Sequence, residues 1–132
     1  MLVSDIVRNN ARHFPKADAI VSVDPGWSCT WAELDVRTDR LANAFDELGL
    51  CKGDRAAIYA PNCREYIEFF FACAKSGVIG AAVNTRLADH EVQQYLSYVE
   101  PEVVLVHADL SRSAASWLGR AGLGASRRRF WW

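Results

Sequence analysis

Residues 52–87, KGDRAAIYAPNCREYIEFFFACAKSGVIGAAVNTRL, decide the fold. Lys52-Gly53-Asp54 makes a turn, because glycine and aspartate tolerate the backbone angles that turns demand. Arg55 to Tyr59 is a short apolar run bounded by Pro61-Asn62, the pattern of a buried strand. Asn62 reads as a helix cap, with Glu65 three residues on to bond back to it, a variant of the capping box. From Tyr66 to Ala74 nearly every position is apolar, which predicts a helix with little face left for water. Ser76-Gly77 stops that helix, and Val78 to Val83 reads as a second buried strand. Two apolar strands joined through a helix of this length imply a right-handed βαβ unit in a parallel sheet.

Toward the amino terminus, Thr30-Trp31-Ala32-Glu33 is a full capping box. The helix it opens puts Leu34, Leu41, Phe45 and Leu48 on one stripe, with Asp35, Asp39, Arg40, Asp46 and Glu47 away from it, and Gly49 suits its end. That is a one-sided surface helix, a packing element and not a catalytic one. Ala19 to Val23 and Trp27 to Thr30 predict a hairpin about the turn Asp24-Pro25-Gly26. Leu2, Val3, Ile6, Val7, Ala11 and Phe14 recur at helical spacing until Pro15.

Toward the carboxyl terminus, Asn84-Thr85-Arg86-Leu87 is a polar connection. Val92, Tyr95, Leu96 and Val99 follow at i, i+3, i+4 and i+7, Pro101 breaks the helix, and Val103 to Val106 makes another buried strand. Helices and strands alternate from Thr30 to Val106, so the fold class is α/β, a layered domain with a mostly parallel sheet and crossover helices.

A length of 132 residues supports one core, not two, and 51% apolar with 23% charged residues fits a soluble globular chain. Residues 1 to 110 hold all 16 acidic residues against 10 basic ones, a net −6, which argues against nucleic acid as partner of the body. Cys29, Cys51, Cys63 and Cys73 show no CxxC spacing and MLVSDIVRNN has no apolar signal core, so we expect reduced thiols and a cytoplasmic location. The longest apolar run, Phe69 to Ala74, is too short to span a membrane. His13, His90 and His107 form no metal-ligand spacing.

Residues 111–132, SRSAASWLGRAGLGASRRRFWW, carry five arginines, no acid and three of the five tryptophans. No period is evident, Trp117 and Leu118 lack helical-spaced apolar partners, and Gly119, Gly122 and Gly124 would weaken any helix. Two readings stay open: a basic aromatic tail for nucleic acid or a membrane surface, or an unstructured tail that packs nowhere.

Motif searches find no GxxxxGK loop, GxGxxG, GxSxG or HExxH. Gly77-Val78-Ile79-Gly80 is a GxxG that reads as close backbone packing. Glu65 and Glu68 share a helix face, and read as a cap plus a solvated carboxylate before an acid–base pair. Arg86 either clamps an anion or pairs with a nearby carboxylate.

An ordered set of short matches then points to a family. Thr30-Trp31-Ala32-Glu33-Leu34, Lys52-Gly53-Asp54-Arg55, Ala57-Ile58-Tyr59, Pro61-Asn62, Glu65-Tyr66, Ala72, Lys75-Ser76-Gly77, Asn84-Thr85-Arg86-Leu87, Glu91 and Tyr95-Leu96 resemble the amino-terminal part of AMP-forming acyl-CoA synthetases. The Asn-Thr-Arg-Leu form is most similar to the fatty-acyl-CoA ligases among these adenylate-forming enzymes. One departure is Ala88, where the family usually has a Ser or Thr cap, which hands that role to Asp89.

The resemblance covers residues 1 to 110, a partial AMP-binding domain, with 111–132 as the atypical tail. It implies a reaction in which ATP activates a carboxylic, most simply fatty, acid to an acyl-adenylate, and coenzyme A takes the acyl group. It also implies ATP, Mg²⁺ and coenzyme A for the full-length family, with none of them held in this portion. The phosphate loop and catalytic residues lie beyond the matched stretch in that family, so no catalytic, cofactor-binding or metal residue carries over. Three expectations follow: an amino-terminal fragment inactive alone, one chain of a split ligase, or a non-catalytic binding module. We further expect self-association, with Val103 to Val106 left as an uncovered edge or the Phe69-Phe70-Phe71 helix face exposed.

Overall fold

The βαβ unit forms where the sequence places it. In the computed structural model, residues 1–24, 26–118 and 128–131 are described. The order is α1 (Val3–His13), β1 (Asp18–Ser22), β2 (Trp27–Thr30), α2 (Trp31–Glu47), β3 (Arg55–Tyr59), α3 (Arg64–Ser76), β4 (Ile79–Ala82), α4 (Asp89–Val99), β5 (Val103–Val106), α5 (Ser111–Leu118) and β6 (Arg128–Trp131). A single 3₁₀ turn, Ala108–Leu110, lies between β5 and α5. β3 to β6 form one parallel sheet in the order β4-β3-β5-β6, and β1 and β2 pair separately as an antiparallel hairpin.

Strand alternation sorts the core into two layers. Ala56, Ile58, Val103 and Leu105 pack with Phe45, Phe69, Ala72 and Cys73 of α2 and α3. Ala57, Tyr59, Val104 and Val106 pack on the opposite face with Val92 and Leu96 of α4 and Ala114, Trp117 and Leu118 of α5. A smaller cluster of Val7, Cys29 and Leu34 ties α1 and the hairpin to the start of α2. Of the apolar stripe on α1, Val7 alone is fully buried, and Leu2 remains 71% exposed.

Several expectations are corrected. The second strand is shorter than Val78 to Val83 and half-exposed, with Ile79 at 55%, because it is the sheet's outer strand and only Val78 and Val83 at its ends are buried. Val103 to Val106 is no bare edge: β3 and β6 flank it and all four residues are buried. α3 keeps a wet side, since Glu68, Phe69, Ala72 and Cys73 are buried while Phe70 is 38% exposed. Cys63, not Asn62, occupies its cap position, with no side-chain bond to the cap. At α4 the cap position is Ala88, whose N–H donates to Glu91 Oε2 at 2.8 Å. Asp89 is engaged elsewhere, accepting the Ser116 hydroxyl of α5 at 2.7 Å.

The largest correction concerns the tail. Ser111 to Leu118 is helical, and Trp117 and Leu118 are buried. Their partner at helical spacing is Ala114, whose small side chain hides the period in sequence. Arg128 to Trp131 pairs in parallel beside β5. Gly119, Gly122 and Gly124 lie outside the described residues, as do Pro25 of the hairpin turn and Trp132.

Candidate functional site

In a sheet of this order the chain leaves β3 in one direction and β5 in the other, and such switch points bind ligands beyond the carboxyl ends of the strands. Here those ends carry Tyr59 to Asn62, Asn84 to Leu87 and His107 to Leu110. The His107 N–H donates to the Tyr59 carbonyl at 3.0 Å, which closes the strand ends on each other. The His107 ring Nδ1 accepts from the Asp109 N–H at 3.3 Å. Asn84 Oδ1 accepts the Arg86 N–H at 2.9 Å, an Asx turn that shapes the Asn-Thr-Arg-Leu loop. Arg86 is exposed, and among the described residues no carboxylate pairs with it, contrary to the ion-pair expectation.

The strongest electrostatics lie elsewhere, between α2 and α3. Glu68 is 3% exposed, not solvated as expected. Arg37 grips its carboxylate with two nitrogens, Nε to Oε1 and Nη2 to Oε2, the second at 3.1 Å. Arg64 Nε lies 3.2 Å from Glu68 Oε1, but its N–H has no hydrogen-bond partner, so that contact is Coulombic. The Arg64 guanidinium also sits 5.4 Å from the Trp27 ring centroid. The hydrogen bond to Glu68 raises the Arg37 pKa above its ordinary value. Two turns further along α3, Lys75 Nζ contacts Asp35 Oδ1 at 2.6 Å and Asp39 Oδ1 at 2.7 Å. Each of these carboxylates is paired with a cation, so the clusters clamp the two helices together.

Glu68 shares its stripe with Phe69 and Ala72, which is the sequence sign of burial that was available. Burial pushes the Glu65 carboxyl up, yet its own backbone N–H, the Cys63 side chain and the Arg64 charge outweigh that and leave it below its usual range. Burial pushes the Cys73 thiol up to about 12 and raises Cys29 and Cys63 as well, which disfavours the thiolate at these three. The GxxG does not cradle phosphate. A Cβ on Gly80 would stand 3.1 Å from Phe69 Cε1 and 3.3 Å from Cys73 Sγ, so the glycine lets α3 sit close on β4. Gly77 takes the left-handed conformation at φ +76° that ends α3. Among the described residues no three His, Cys, Asp or Glu side chains converge on a position that would hold a metal ion.

Similarity to known proteins agrees with the fold. The sequence profile described as AMP-binding enzyme matches residues 7–126, reaching well past the 1 to 110 expected. The long-chain-fatty-acid–CoA ligase FadD13 of Mycobacterium tuberculosis is 29% identical over 136 aligned positions, 93% of this chain and 27% of that protein. The medium-chain-fatty-acid–CoA ligase of Ectopseudomonas oleovorans is 28% identical over 109 positions, 80% of this chain and 20% of its own length. The solved N-terminal domain of FACL13 from Mycobacterium tuberculosis superposes with a TM-score of 0.88 at 28% identity, covering 99% of this chain and 33% of that one. The chain thus spans about a quarter of the length of the curated relatives it matches.

Proposed function

The chain belongs to the AMP-binding enzyme family, and from that premise we propose that it is the amino-terminal part of an acid–thiol ligase. The whole protein would activate a carboxylic acid, a fatty acid being the best-supported class, with ATP to an acyl-adenylate and pass the acyl group to coenzyme A. The observation that carries this reading is the profile match over residues 7–126, which runs through both faces of the sheet.

Among the described residues, the paired carboxylates and the GxxG do not fit ATP, Mg²⁺ or coenzyme A. The carboxylates of Glu68, Asp35 and Asp39 are paired with Arg37, Arg64 and Lys75, and the space beside Gly80 is filled by Phe69 and Cys73. No chemical step is therefore derived through those groups on this chain. Its role in the reading is a scaffold without turnover of its own, cytoplasmic, with self-association through the remaining apolar surface. No helix among the described residues is long and apolar enough to cross a membrane. The binding-module alternative is weakened by the burial of Trp117, which removes one of the four aromatic residues of the tail it needs.

Acid-dependent ATP–pyrophosphate exchange tests the proposal. The purified chain alone should give none, and exchange should appear only when the rest of a ligase is supplied. Exchange by the chain alone would overturn it.

A further inference from the structure

β5 is held on both sides along its whole length. β3 pairs with it from Ala56↔Val103 to Tyr59↔Val106, and β6 pairs with it from Val103↔Arg128 to Val106↔Trp131. The two neighbours differ in kind. β3 is an interior strand, whereas β6 is the outermost strand of the sheet, with β5 as its one sheet neighbour among the described residues. β6 also lies just past residue 126, where the match to the family profile ends. In sequence β5 and β6 are opposites. Val103-Val104-Leu105-Val106 is uncharged, β-branched at three of four positions, and free of glycine and proline, a composition that pairs readily with another strand. Residues 127–129 are three arginines in succession, and charge on an outermost strand discourages further pairing.

We propose that β6 is an edge guard: it occupies in cis the outer edge of β5, which on its release pairs with the β5 edge of a second copy of this chain. The occupant follows from symmetry. Two copies related by a twofold axis bring one β5 edge against the other in antiparallel register, and a run of four aliphatic residues is complementary to itself in that arrangement. The main-chain groups of β5 that β6 satisfies are those that the second copy would satisfy instead. At low protein concentration the cis strand wins, because it belongs to the same chain and its effective concentration is high. This narrows the self-association proposed for the chain to one edge, and it holds independently of the acid–thiol ligase reading.

The test uses the full chain carrying Arg129→Pro and Phe130→Pro together. Neighbouring residues of a strand turn their N–H groups to opposite sides, so the pair removes a donor to β5 whichever of the two faces it. Amide exchange is the first readout. Within Val103 to Val106, the amides that face β6 should exchange about tenfold faster or more, while those that face β3 keep their protection. Light scattering over a concentration series is the second: dimer should appear at about tenfold lower protein concentration than in wild type. A synthetic peptide of residues 126–132, added in excess, should return the variant to monomer. Unchanged exchange would overturn the inference, because β6 would then not hold the edge. Faster exchange without more dimer, or a dimer that the peptide does not disperse, would overturn it as well and leave association to other apolar surface. If circular dichroism shows that the double variant has not folded, Arg129→Gly with Phe130→Gly, which weakens the strand but keeps its donors, takes its place with the same outcomes.

Discussion

The sheet's two faces are closed by different chemistry. Against α4 and α5 the contacts are apolar and aromatic, with Trp117 standing edge-on to Tyr59 at 5.1 Å between ring centroids and 88° between planes. Against α2 and α3 there is also an aromatic pair, Phe45 with Phe69 at 6.2 Å, but the two helices are additionally locked to each other by Arg37–Glu68 and Lys75–Asp35/Asp39. The difference is instructive. Both faces of β5 are buried, Val103 and Leu105 with Phe45 and Phe69 on one side and Val104 and Val106 with Val92, Leu96 and Trp117 on the other, so the contrast lies in how the helices are held and not in how much sheet they cover. Ion pairs fix where α2 and α3 sit relative to one another, and hydrophobic burial fixes how much sheet they cover.

Removing the centre of the apolar face should have the largest effect. Trp117→Ala should cost about 3–5 kcal/mol in urea unfolding, by lost burial plus the cavity left behind. Trp117→Phe should cost far less, because the indole N–H is buried without a partner and nothing is lost by deleting it. A loss below about 1 kcal/mol for the alanine variant would break the contrast, since that site would then not hold the face.

Glu68→Gln probes the charged face and should cost about 2 kcal/mol, below the full penalty for breaking a buried ion pair because Arg37 and Arg64 keep 37% and 34% side-chain exposure. Its loss should be nearly the same at 0.1 M and 1 M salt if the pair is shielded from solvent. A loss that vanishes at high salt would place the pair with ordinary surface bridges.

The smallest effect belongs to the start of α2. Thr30→Ala removes the cap that Glu33 N–H donates to at 3.3 Å and should cost about 1 kcal/mol. The Glu33 carboxylate in turn accepts from the Thr30 N–H and hydroxyl, which lowers its pKa in the folded state. A lowered folded value means the associated stability is complete above the ordinary glutamate pKa and fades as pH falls through the folded one. Chemical denaturation between pH 7 and pH 3 should therefore show a smaller acid-induced loss in Thr30→Ala than in wild type.

Much of the fold was legible because it is local. The capping box at Thr30, the glycine stop at Gly77 and the apolar runs of β3 and β5 each declare themselves within a few residues. What escaped depends on distance. Glu68 meets an arginine 31 positions away, so a spacing of three from Glu65 could reveal a shared face but not a partner. β5 looked like an edge and β4 like an interior strand because strand order is set by which crossover passes over which strand, not by the apolarity of either run. α5 escaped because its buried face is one alanine, one tryptophan and one leucine in an eight-residue helix. No acid–base constellation was nominated in the sequence, and the buried carboxylate found in the structure is occupied by cations.

The strand order β4-β3-β5-β6 sets a timetable for the chain as it is synthesised. β3, α3 and β4 can associate once residue 82 has emerged, but the other long side of β3 has no neighbour until residue 106 follows. Between those moments a nascent polypeptide displays Ala56 to Tyr59 with one row of main-chain hydrogen-bonding groups unmet. The crossing of α4 over β3 is thus the event that ends this vulnerable interval.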